Sequence, residues 1–111
     1  MTAVASLLAA LTLTSGLHGV VTRGPTQPVC RAGVPCTAPA PRVRLVFLRA
    51  LRQFAVTTDS RGRYRIALPP GTYLVRVVPA PSVGRGLRPS AAVVPAGRYA
   101  TRNFSYDTGI R

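Results

Sequence analysis

The chain has 111 residues, enough for one domain and no more. Fifteen arginines, no lysine, no glutamate and two aspartates give a net charge of +13, so lysine chemistry is closed and only Asp59 and Asp107 could ever act as a carboxylate pair. Self-repulsion at this charge density opposes the compact state and invites an anionic partner. A GC-rich coding sequence accounts for arginine in place of lysine, but not for the near absence of acids.

Residues 3–13 form an unbroken run of small and apolar side chains. The run is too short for a bilayer, which takes about 20 residues, and matches the hydrophobic region of a secretory signal, with small residues Thr14, Ser15 and Gly16 where cleavage could fall. No basic residue precedes it; the first is Arg23. Either the leader begins further upstream or the signal is a poor one, and the alternative is a buried first helix or strand. The division expected is residues 1–16 as signal peptide and 17–111 as a single β-domain, exported to the cell envelope or beyond.

The first strand is expected over residues 17–23. Residues 25–41 follow, rich in Pro and carrying Cys30 and Cys36. Two cysteines this close, with Gly33 and Pro35 to bend the ring, pair as a structural disulfide in an oxidising compartment. A metal site would need three or four ligands, and only His18 could be added to the cysteines. A redox pair favours a shorter spacing. Further strands are expected over residues 43–49, 54–58, 63–68, 72–78, 91–94 and 100–106. In residues 63–68, Tyr64, Ile66 and Leu68 alternate with Arg63, Arg65 and Ala67. In residues 72–78, Tyr73, Val75 and Val77 alternate with Thr72, Leu74 and Arg76. A period of two places one set inside and one in water.

Two turns punctuate the pattern. Asp59 can bond local amides and Gly62 can take a positive φ. Pro69, Pro70 and Gly71 stop one strand and redirect the chain, since neither proline donates to a ladder. Read as a hairpin, this second turn sets Leu68 opposite Tyr73, Ile66 opposite Val75 and Arg65 opposite Arg76. The expected core is Val20, Leu45, Phe47, Val56, Tyr64, Ile66, Leu68, Tyr73, Val75, Val77, Val93 and Phe104. The loop over residues 79–89 is too rich in Pro and Gly for regular structure.

The stretch Thr58-Asp59-Ser60-Arg61-Gly62-Arg63-Tyr64-Arg65-Ile66, followed by Leu68-Pro69-Pro70-Gly71-Thr72-Tyr73-Leu74-Val75, resembles the signature of carboxypeptidase regulatory-like domains. These belong to the prealbumin-like group of β-sandwiches. Gly19-Val20-Val21-Thr22 resembles the opening strand, Val43-Arg44-Leu45-Val46-Phe47-Leu48 the second, and Gly97 with Asn103-Phe104-Ser105 the closing one. The resemblance implies an all-β, seven-stranded antiparallel Greek-key sandwich that serves as a non-catalytic accessory module outside the cytoplasm, with no cofactor and no metal. Two segments depart from that pattern: residues 25–41, where a short turn is usual, and the terminal residues 107–111. Relatives with chemistry do not fit. Internal isopeptide formation needs a lysine, and transthyretin-like hydroxyisourate hydrolysis needs several histidines and a different C-terminus.

The hairpin reading gathers Arg63, Arg65 and Arg76 on one exposed face, with Arg42 and Arg44 in the same outward phase. These five are the candidate anion-binding residues. Arginine suits the role, because its planar fork pairs bidentately with phosphate and carboxylate. The partners expected are an anionic envelope polymer, a carbohydrate, an anionic lipid surface or an acidic protein. Nucleic acid ranks lower: the chain has no Trp, Tyr64 and Tyr73 fall in the buried phase, and export would separate the protein from cytoplasmic nucleic acid. If the leader is not a signal, that alternative rises. No catalytic set emerges. His18 is isolated, Ser60 and Ser105 lack a visible base, Asp59 has a turn role, and Gly84-Arg85-Gly86 matches no phosphate loop.

Overall fold

The computed structural model describes residues 14–26, 29–30, 32–33, 36–78 and 86–107. Within them the chain is all β, with ten strands: β1 (Gly16–Gly24), β2 (Ala38–Pro39), β3 (Arg44–Arg49), β4 (Arg52–Thr57), β5 (Arg63–Ala67), β6 (Gly71–Val78), β7 (Leu87–Arg88), β8 (Ala91–Val94), β9 (Tyr99–Thr101) and β10 (Phe104–Asp107). They form two sheets. One has four strands in the order β4-β3-β6-β8, all antiparallel. The other is built around β1. The first half of β1 lies between β5, antiparallel, and β9, parallel. Its second half lies between β2, antiparallel, and β10, parallel, and β7 pairs beyond β10.

Each of the seven expected strands has a counterpart, but the last is split. β9 and β10 are separated by Arg102 and Asn103, where the Asn103 Oδ1 accepts the Val20 amide at 2.9 Å and the Arg102 amide bonds the His18 carbonyl at 2.8 Å. A side-chain oxygen thus replaces a backbone carbonyl where β1 changes partner. Two short strands, β2 and β7, were not expected; β7 lies in the Pro/Gly-rich loop, of which residues 79–85 are outside the described residues.

The turn at Pro69, Pro70 and Gly71 is a corner between sheets, not a hairpin. β5 pairs with β1 and β6 pairs with β3 and β8, so Leu68 is not opposite Tyr73, nor Ile66 opposite Val75, nor Arg65 opposite Arg76. The chain before the corner is held by Ser15: its carbonyl accepts the Leu68 amide at 3.0 Å and its hydroxyl donates to the Leu68 carbonyl at 2.6 Å. Beyond it, the Tyr73 hydroxyl donates to the Pro69 carbonyl at 2.6 Å, and the Arg49 guanidinium donates to the Pro70 carbonyl. Gly71 has φ 145° and lies against that guanidinium, so a side chain there would displace it.

Leu17, Val21, Leu45, Phe47, Tyr64, Leu68, Tyr73, Val75, Val77, Val94 and Phe104 form the core between the sheets. Phe47, Tyr64 and Phe104 meet as three rings with centroids 5.9–6.2 Å apart, joining both sheets at the centre; such pairs add about 0.5–1.5 kcal/mol each beyond burial. Two expected core residues are displaced. Val20 is only half-buried, because Leu17 and Val21 point inward on β1. Val93 is exposed, because Ala92 and Val94 carry the inward phase of β8. Val56 and Ile66 pack at the core margin. Ser15 and Gly16, both buried, pack with the sheets.

Candidate functional site

The turn before β5 is built on Asp59. Its Oδ1 accepts the amides of Arg61 and Arg63 at 2.8 and 2.9 Å, and its Oδ2 pairs with the Arg63 guanidinium at 3.3 Å. The amides of Arg63 and Arg61 favour the ionised carboxylate and hold its pKa below the ordinary value. Gly62 has φ 76°, and a Cβ there would fall 2.6 Å from the Val21 carbonyl oxygen. This turn therefore packs directly on β1, where the Gly62 carbonyl accepts the Val21 amide.

The five candidate arginines do not share a face. The topology puts them on opposite sides of the molecule, and this corrects the single-patch expectation. Arg63 and Arg65 project from the outer surface of the β1 sheet, opposite Val20 and His18. Arg44 and Arg76 project from the outer surface of the four-stranded sheet, on adjacent strands with Arg44 beside Val78 and Arg76 beside Val46. Arg42 belongs to the turn between them: it is exposed at φ 56°, and its amide reaches the Thr58 and Asp59 carbonyls at 3.2 and 3.4 Å.

On the first surface, one row crosses three strands as Arg65, His18 and Thr101. The Thr101 Oγ1 is 3.3 Å from the His18 Nε2, and the Arg65 guanidinium lies 4.0 Å from the centroid of the Tyr99 ring. A cation over an aromatic face at this distance is attracted by the ring quadrupole. Gly16 makes room: a Cβ there would fall 2.5 Å from the Tyr99 ring. Arg63 and Arg65, two residues apart on one strand, are spaced by about 7 Å, and Arg63 is partly neutralised by Asp59. Sequence reasoning missed Tyr99, His18 and Thr101 as neighbours of Arg65, because no local signal announces that β9 runs beside β1.

A pocket of about 510 Å³ opens where the two atypical segments meet. Gly24, Pro25, Cys30, Cys36 and Thr37 line one side, and Gly86, Arg88, Ser105, Tyr106 and Asp107 the other. Cys30 and Cys36 are joined as a disulfide with Cα atoms 5.6 Å apart. Ser105 pairs with Arg88 and Asp107 with Gly24 in the ladder, so these side chains share the outer side of the sheet. The Arg88 guanidinium, the Asp107 carboxylate and the Ser105 and Thr37 hydroxyls bring polar groups to the lining, and the volume lies within the range of ligand sites. Residues 108–111 lie outside the described residues.

Among the described residues, no three His, Cys, Asp or Glu side chains come close enough to hold a metal, and no helix is long and apolar enough to cross a membrane. Ser60 lies in the turn beside Asp59, and Ser105 lies on the outer side of β10. No protein-family model and no curated protein sequence matches this chain.

Proposed function

We propose that this chain is an exported, non-catalytic β-sandwich module that binds an anionic polymer or acidic carbohydrate of the cell envelope through arginines on its sheet surfaces. The observation that carries this reading is the placement of charge. Arg63 and Arg65 on one outer surface, and Arg44 and Arg76 on the other, are exposed, and the chain's two carboxylates sit in the β5 turn and at the end of β10. Arg63 and Arg65 leave the same face of β5 from positions about 7 Å apart along the backbone, which lets them meet successive anionic groups of a polymer. The pocket beside the disulfide, with Arg88, Asp107, Ser105 and Thr37 in its lining, offers a place for one sugar unit of such a polymer. The fold expected from the resemblance, a carboxypeptidase regulatory-like Greek-key sandwich of seven strands, is part of the same proposal: the ten strands contain those seven runs, with the last divided and β2 and β7 added.

Export is proposed from the apolar run of residues 3–13 and agrees with the disulfide. Cleavage upstream of Ser15 would retain the two hydrogen bonds that fix the corner. The test is charge reversal by surface. Arg63→Glu with Arg65→Glu, and separately Arg44→Glu with Arg76→Glu, are titrated with a soluble acidic polysaccharide. Loss of binding in the first pair identifies the Arg65–His18–Thr101 surface as the polymer site. Unchanged binding in both pairs removes these surfaces. Recovery of the native protein from the cytoplasm, uncleaved and with free thiols, would turn the reading towards a nucleic-acid partner.

A further inference from the structure

The two outer surfaces differ in more than their arginines. On the four-stranded sheet, the outward positions run in rows: Thr57, Arg44 and Val78; Ala55, Val46 and Arg76; Gln53, Leu48, Leu74 and Ala91; then Thr72 and Val93. Leu74 and Val93, 54% and 53% exposed, are diagonal neighbours on adjacent strands and with Leu48 and Ala91 make an apolar patch, while Val78, 44% exposed, is set apart from them by Arg76. At the end of the same sheet, the two-residue turn joining β3 to β4 presents Leu51 fully exposed at 103%, beside Ala50 at φ 52°. A left-handed alanine is unfavourable, and here it aims an apolar side chain into solvent. Arg49 and Arg52 flank this tip in sequence but turn to the core-facing side, against Pro70 and Tyr73 and against Phe54, so the cations of the outer surface are Arg44 and Arg76, away from the tip. The sheet carries no acid.

We infer that this surface lies on an anionic phospholipid bilayer, with Leu51 entering the headgroup region and Arg44 and Arg76 meeting lipid phosphates. An exposed apolar patch and apolar tip with two arginines beyond them and no carboxylate is the chemistry of interfacial membrane binding. A second copy of the chain fits poorly, because face-to-face association brings like charges together with no acid to answer them. An acidic protein would answer the charge, but a single side chain standing fully clear on a narrow tip needs a matching cleft in a rigid partner, whereas a bilayer interface accommodates it. The assignment takes from the proposed function only the idea of an anionic partner; it leaves the Arg65 surface free for polymer, so one module could tether polymer to membrane.

The chain lacks Trp, so Leu51→Trp in the full chain gives a single local fluorophore. Its emission should shift to the blue with vesicles containing phosphatidylglycerol and stay unchanged with phosphatidylcholine alone. In cosedimentation, Arg44→Gln with Arg76→Gln should weaken binding about 25-fold, or about fivefold per charge. Leu51→Ser with Leu74→Ser and Val93→Ser, all exposed positions, should weaken it at least about tenfold while binding to soluble acidic polysaccharide stays as in the wild type. No blue shift with anionic vesicles overturns the inference, as does vesicle binding unaffected by the triple change. A dimer in sedimentation equilibrium that Val93→Arg dissociates also overturns it, by assigning the surface to self-association. Loss of polysaccharide binding with vesicle binding intact in the Arg63/Arg65 reversal would leave this inference standing and separate the two surfaces.

Discussion

Thr58 ties the segment that carries the disulfide to the rest of the fold, and removing its hydroxyl should be costly. The residue is 3% exposed. Its Oγ1 donates to the Ala40 carbonyl at 2.6 Å and accepts the Val43 amide at 2.8 Å. Thr58→Val keeps the β-branched shape and deletes both bonds. Each orphaned group costs about 1–3 kcal/mol. Ala40 is fully buried and takes the larger share, while Val43 is half-buried and is partly rescued by water. The expected loss is about 3 kcal/mol, a large part of the roughly 5–15 kcal/mol that holds a typical domain. In urea, with a slope of about 1.5 kcal/mol per molar, the midpoint should fall by about 2 M with the slope unchanged. Thr58→Ser keeps both bonds, loses one methyl, and should cost only about 1 kcal/mol. A Thr58→Val protein within about 0.5 kcal/mol of wild type would refute the reasoning, because it would show that the two partners find other bonds or that the junction is wet.

Three further outcomes follow from the same geometry. Asp59 has a lowered pKa in the folded state, so its contribution is complete above the unfolded carboxylate pKa and is lost as pH falls through the folded one; Asp59→Asn should flatten the urea midpoint between about pH 5 and pH 2 relative to wild type. The Tyr64 hydroxyl donates to the Arg102 carbonyl at 2.6 Å, and burial pushes its pKa up; its contribution is complete below about pH 10 and fades above it, so Tyr64→Phe should cost about 1 kcal/mol at neutral pH and show a weaker alkaline decline. Cys30→Ser with Cys36→Ser opens a small ring and should cost about 2 kcal/mol in urea unfolding, matched by reductant acting on the wild type; the intact mass of protein from its native cell should show both thiols blocked until reduction and an N-terminus at or before Ser15.

Much of the strand content is legible in the sequence, because Tyr64, Leu68, Tyr73, Val75 and Val77 alternate cleanly with polar or charged neighbours. Alternation states which way a side chain points, not which strand lies alongside. The corner at Pro69, Pro70 and Gly71 therefore reads as a hairpin, although Ser15, 53 positions away from Leu68, holds the chain at that corner. Phase is lost where neighbours are equally apolar: Ala91, Ala92, Val93 and Val94 carry no contrast, and neither do Val20 and Val21. The arginine surfaces inherit the pairing error, since Arg65 and Arg76 could share a face only if β5 lay beside β6. Residues 25–41 and Asp107 are visible in the sequence as departures from a familiar pattern, but their meeting around one pocket depends on the parallel pairing of β1 with β10, which no local residue encodes.

The central claim is that arginines on defined sheet surfaces bind a repeating anion. Its most direct test is a titration of the full chain with a soluble acidic polysaccharide, with a neutral polysaccharide as control, at several salt concentrations. The account predicts saturable binding to the acidic polymer alone, with log affinity falling linearly against log salt, as expected when guanidiniums displace condensed counterions. The Arg63→Glu, Arg65→Glu variant should show a shallower slope. Equal binding to both polymers, or affinity independent of salt, would contradict it.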